Sequence, residues 1–186
     1  MTIIEKAKNR FNEKISVFRL ADHLKEHLKE FEKIAEVMLL KFPEADRETV
    51  LLAMWLHDAE CMAYDNGEDH AVIGEAAARE WLVAEGYDKG KAEKVLHCVR
   101  AHRCKDVMPE TLEAKIIAYS DSASHLTQGI YLNIARREKE GDPYDPLAKL
   151  ERDWRDLALF PEMREELMEL YQAWRELIIA YRKTNI

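Results

Sequence analysis

Cysteine is scarce in this chain. Cys61, Cys98 and Cys104 make an odd number with no CxxC pair, which excludes a complete disulfide framework and a cysteine-based zinc knuckle. Three reduced, partly buried thiols are expected instead. Glycine and proline are equally sparse, 6 and 5 among 186 residues, which argues against a turn-rich β architecture. No apolar run approaches the roughly 18–20 residues of a membrane span. The first nineteen positions interleave Glu5, Lys6, Lys8, Arg10, Glu13 and Lys14 with apolar residues, unlike a signal peptide. Excess positive charge is also lacking. With 28 Lys and Arg against 36 Asp and Glu, the formal charge of −8 argues against a partner held through a nucleic-acid backbone. A cytosolic protein with no membrane and no nucleic-acid polymer as partner is expected.

What remains is rich in Ala, Leu, Glu, Lys and Arg, and it predicts an all-α protein forming one domain over residues 1–186. Helices are predicted over 3–15 and over 17–41, the second ending at Phe42-Pro43. The next, over 45–58 with Asp46 as N-cap, carries the run Val50-Leu51-Leu52-Ala53-Met54-Trp55-Leu56. Apolar on every side, it predicts a buried central helix. Asp65-Asn66-Gly67 marks a loop over 60–68. Further helices are predicted over 69–85, from just after Lys89-Gly90 to 104, over 110–140, over 147–159 and over 161–182. These fall within a range of about seven to nine helices, with the clearest loop at Gly141–Pro146. The last two helices, with Trp154, Leu157, Phe160, Met163, Leu167, Tyr171 and Trp174, either cover the core or form a homodimer surface; cover is the reading taken.

Histidines and aspartates interrupt faces that otherwise want burial. His27 lies in the stripe Leu20, Leu24, Leu28, Phe31, Ala35 and Met38, with His23 at its edge. His57-Asp58 ends the most apolar helix, where a carboxylate drawn out of water needs positive compensation. His70 shares a stripe with Ile73, Ala77 and Trp81, and His102 one with Ala92, Val95 and Val99. Asp121 follows Ala114, Ile117 and Ala118 in the same register, with His125 one turn on. Such a set of imidazoles and carboxylates suits Mn, Fe, Co or Zn better than Ca. Several independent core histidines, each with its own hydrogen-bond partner, would give the same pattern.

Read in order, these fragments resemble the HD superfamily of metal-dependent phosphohydrolases. The resemblance rests on HLKEFEKIA (His27), LLAMWLHDAE (His57, Asp58), DHAVIGEAAAREWL (His70), VLHCVRAHR (His102) and EAKIIAYSDSASHL (Asp121). It implies an HD-type helical fold with a metal-binding core over about 20–127 and C-terminal helices, about 147–183, packed on it. It implies His27, His57, Asp58 and Asp121 as ligands of a divalent ion (Mn, Fe, Co, Ni, Zn or Mg), with His23 as rival to His27. His70 and His102 would bind a second ion or the substrate phosphate. Tyr119 and Ser124 stand where relatives often carry further acids, and Arg103 stands beside His102 where a dinuclear subgroup carries a second histidine, so one ion is favoured over two.

The implied activity is hydrolysis of a phosphomonoester or phosphoanhydride of a nucleotide or another small phosphorylated metabolite. Asp58 would orient the attacking water. Glu60, or Asp65 in the same loop, would move protons, and Arg103 would pair with phosphate. An iron-dependent oxygenase of the same fold, or a non-catalytic metal-stabilised ligand-binding domain, are the alternative readings.

Overall fold

The computed structural model describes residues 1–16, 21–59 and 69–184, with the side chains of 21–23 outside the description. The loop carrying Glu60, Cys61 and Asp65, and the side chain of His23, therefore lie outside the described residues. Among those described, ten α-helices and one 3-10 turn account for the regular structure, and no strand occurs.

The chain forms two compact units, Met1–Ser120 and Asp121–Ile186. In the first unit the helices are α1 (Ile3–Ile15), α2 (Ala21–Lys41), α3 (Arg47–Leu56), α4 (His70–Ala84), α5 (Lys89–Ala101) and the start of α6 (Leu112–Gln128). Helix α3 is central, as its apolar sequence requires: α1, α2 and α5 all pack on it, and every residue from Thr49 to Leu56 is buried. Thr49 is tolerated there because its hydroxyl donates to Asp46 at 2.8 Å, while Asp46 also accepts from the Glu48 amide as N-cap. Around α3 lie Phe11 and Ile15 of α1, Leu28, Phe31, Ala35 and Met38 of α2, and Val95 and Val99 of α5.

Helix α4 packs against α5. Gly74 permits an approach to the end of α3 so close that a Cβ at this position would stand 2.8 Å from the His57 carbonyl oxygen. Helix α5 begins at Lys89 itself, with Gly90 inside its first turn and Asp88 as N-cap. It ends at Ala101 rather than at 104, because Cys104 adopts a left-handed backbone (φ 47°) that turns the chain away.

In the second unit, α6 runs on to Gln128, followed by α7 (Ile130–Lys139), α8 (Pro146–Asp156), a 3-10 turn at Leu157–Leu159, α9 (Pro161–Glu165) and α10 (Met168–Arg182). The helix predicted over 110–140 is thus broken at Gly129. Its φ of +82° is left-handed, and a Cβ there would collide with the Trp174 ring at 2.8 Å. The helix predicted over 161–182 is likewise split, between Glu165 and Met168. Helices α7, α8 and α10 pack mutually, with Tyr131 against Trp174 edge-on and Trp154 stacked on Tyr171.

Candidate metal centre

Four of the sequence-predicted residues reach the centre through helix ends. His57 is the C-cap of α3, where its Nδ1 donates to the Met54 carbonyl oxygen at 2.7 Å. His102 is the C-cap of α5 and its Nδ1 donates to the Val99 carbonyl oxygen at 2.6 Å. A backbone carbonyl only accepts, so both rings carry the proton on Nδ1 and present the Nε2 lone pair inward. Asp58 follows His57 in the turn after α3. His70 is the first residue of α4, placed there by the N-cap Asp69, whose carboxylate accepts from the Ala71 amide at 3.0 Å.

These side chains converge. His57 Nε2 is 3.5 Å from Asp58 Oδ2, His70 Nε2 is 3.8 Å from Asp58 Oδ1, and His70 Nε2 is 3.2 Å from His102 Nε2. The His57 and His102 rings meet edge to face at 5.1 Å between centroids. On α2, His27 turns inward from the stripe of Leu28, Phe31 and Ala35, and its ring lies 5.9 Å from that of His57. His27, His57 and His102 are all buried; His70, with 30% of its side chain exposed, is the open member.

Asp58, His70 and His102 form a group of three that could hold a metal ion, with one ligand atom from each lying within 4.8 Å of the others. His27 and His57 lie beside it in the same unit, and Asp121 is the first residue of the second. Five of the six expected ligands are thus brought together within the first unit. Neutral imidazoles whose second nitrogen is held by a carbonyl, together with carboxylates, are a donor set that fits a first-row divalent ion.

Arg103 is beside the centre but engaged: its guanidinium forms an ion pair with Asp69 at 2.7 Å, and Lys105 bonds the same carboxylate at 2.9 Å. Burial raises the Asp69 pKa, but hydrogen bonds to its carboxylate from Lys105, Arg103 and the Ala71 amide outweigh it and hold the carboxyl well below the usual range. Asp69 thus clasps the start of α4 to the chain just after α5, and so sets His70 against His102. Sequence reasoning passed over it, although an aspartate directly before a helix and next to a ligand histidine is a recognisable N-cap signal.

A second polar cluster was also missed. Within the second unit, Lys149 and Asp153 of α8, Tyr131 of α7 and His125 of α6 form a buried network. Its signal was the Lys149/Asp153 pair, one helical turn apart, with Asp153 on the same side of α8 as Leu150, Trp154 and Leu157. Cys98 and Cys104 are buried, and burial pushes the Cys98 thiol far above its ordinary pKa, which leaves it inert.

Among the described residues, no helix is long and apolar enough to cross a membrane. No curated protein and no solved structure gives a significant match to this chain. The HD domain, as a family, matches residues 15–125, more than half of the sequence and the stretch that carries His27, His57, Asp58, His70, His102 and Asp121. The chain belongs to the HD-domain family, whose members are typically metal-dependent hydrolases.

Proposed function

We propose that the protein is a metal-dependent phosphohydrolase acting on a phosphomonoester or phosphoanhydride of a nucleotide or another small phosphorylated metabolite. The observation that carries this reading is the pair of histidines at helix ends, His57 and His102. Each is locked by a backbone carbonyl into the tautomer that turns Nε2 toward Asp58 and His70. Two imidazole nitrogens 3.2 Å apart are tolerated only when a proton or a cation lies between them, and a cation also compensates Asp58.

His27, His57, Asp58 and Asp121 are the proposed primary ligands, with His70 and His102 beside them. When bound, a divalent ion supplies Lewis acidity toward a phosphoryl oxygen and lowers the pKa of water into the neutral range. The side chains of the chain do the rest. Asp58, adjacent to both His57 and His70, is placed to orient the attacking water and receive its proton. His70, the most open of the set, is where substrate enters. Arg103 reaches a phosphate by exchanging Asp69 for it, and Lys105 stays on Asp69 to hold the helix start. Glu60, two residues after Asp58, is the proposed proton donor to the leaving group.

One ion held by these donors is the favoured version, and a second ion at Asp58, His70 and His102 is the alternative. Bound-metal stoichiometry distinguishes the two versions. The test of function is phosphate release from a panel of nucleotides, sugar phosphates and other phosphoesters by metal-loaded protein, beside Asp58→Ala. Metal-dependent release that falls by at least about a hundredfold in the variant supports the hydrolase. Full metal occupancy with no turnover across the panel would instead leave a metal-stabilised binding domain.

A further inference from the structure

Behind Asp121 stands a relay of buried side chains that the hydrolase reading does not yet use. His125 lies one turn along α6 from Asp121, with its Nε2 3.9 Å from Asp121 Oδ1. Its other nitrogen, Nδ1, is 2.9 Å from Lys149 Nζ and 3.4 Å from Asp153 Oδ2. Lys149 in turn donates to Asp153 Oδ1 at 2.5 Å, and the Tyr131 hydroxyl donates to Asp153 Oδ2 at 2.7 Å. Asp153 is 4% exposed, and the Lys149 ammonium and Tyr131 hydroxyl bonded to it compensate its burial.

The donor and acceptor inventory settles the direction of this chain. An ammonium has donors and no lone pair, so the short contact makes His125 Nδ1 the acceptor. Asp153 Oδ2 is the weaker partner of Nδ1: it is 0.5 Å farther away than Lys149 and also accepts from Tyr131. With Nδ1 accepting, the proton of the neutral ring sits on Nε2 and faces the Asp121 carboxylate. Metal-bound carboxylates are commonly oriented by such outer partners.

We infer that Lys149, clamped by Asp153 and Tyr131, is a positioning residue that fixes His125 as the Nε2–H tautomer and thereby orients the Asp121 carboxylate for metal binding. This rests on Asp121 being a ligand, as the hydrolase reading has it.

The test uses the full chain with histidine ring nitrogens labelled by 15N, together with Co²⁺ titration followed by absorption. The His125 signals are identified by their loss in His125→Gln. The expected result is an Nε2–H tautomer in the parent, lost in Lys149→Met, with Co²⁺ affinity lower by about tenfold and an altered visible spectrum. In the His125→Gln background, where an amide replaces the ring, Lys149→Met should have no further effect on Co²⁺. A His125 proton on Nδ1 in the parent overturns the inference without any substitution, even if Lys149→Met fails to fold. So does an unchanged tautomer and affinity in a folded Lys149→Met, or an equal loss in both backgrounds. A parent that takes up no Co²⁺ overturns the metal reading and the inference with it, whereas a parent that binds Co²⁺ indifferently to Lys149 overturns the inference alone.

Discussion

A buried polar side chain in this protein is placed by what it bonds locally, and the consequences reach the chemistry. His57 and His102 spend one nitrogen on a carbonyl three residues back, and Asp69 caps a helix while gathering Arg103 and Lys105. Asp69→Ala removes both cap and counter-ion, and should destabilise the protein by about 1 kcal/mol through the cap alone. It should also weaken metal binding through a displaced His70. Denaturant melts and metal titration of the same variant check both effects. Because the folded-state pKa of Asp69 is depressed, its contribution is present above about pH 4 and is lost only in strong acid.

Asp156 behaves oppositely. Burial pushes its carboxyl up to about 6, with the Arg155 hydrogen bonds opposing, so the native state disfavours its ionised form. An acid whose pKa is raised on folding destabilises the native state above that value, and the penalty disappears toward pH 4. Asp156→Asn, whose amide oxygen still accepts from Arg155, should therefore add about 1 kcal/mol at pH 8 and almost nothing at pH 4. Thermal melts at the two values check it; an equal gain at both would contradict it.

At the scale of the element, two glycines set how closely helices approach. Gly74→Ala would drive a methyl against the His57 carbonyl, which is backbone and cannot rotate away, so α4 must shift. A loss of about 1–3 kcal/mol and weaker metal binding are expected, because His70 moves with the helix. Gly129→Ala combines a left-handed backbone with a collision against Trp174 and should cost at least as much, while its effect on metal affinity should be smaller. Comparing the stability and metal titrations of the two variants separates a site effect from a fold effect.

The helices themselves were largely legible in the sequence. Helix α1 coincides with the predicted span, α3 begins just after its expected N-cap Asp46, and α4 begins one residue after the predicted bound at 69. Misplaced boundaries trace to tertiary demands. Gly129 inside a helix-favouring stretch is a break because Trp174 needs the space, and α5 stops early because Cys104 takes a conformation that residue type does not announce. Neither follows from periodicity, which records which face is buried and not what lies against it.

For the molecule as a whole, the candidate ligand histidines were visible as polar residues on apolar faces, but spacing along the chain did not say that they meet. Ordered likeness to the HD family supplied that, and the distances between side chains then brought Asp58, His70 and His102 together, a meeting no one-dimensional pattern contains. Lys149, Asp153 and Tyr131 escaped because a lysine and an aspartate one turn apart usually form a solvated pair. Only packing reveals that this pair is buried around His125.

All of this rests on the cluster being a metal centre. The direct measurement is elemental analysis of the untagged protein purified without added metal or chelator, beside Asp58→Ala prepared in the same way. One or two equivalents of a first-row divalent metal in the parent, sharply reduced in a folded Asp58→Ala, is the expected result. A folded, metal-free parent that also fails to take up Mn²⁺, Co²⁺ or Zn²⁺ on titration would contradict the account and leave the histidines as structural hydrogen-bonding groups.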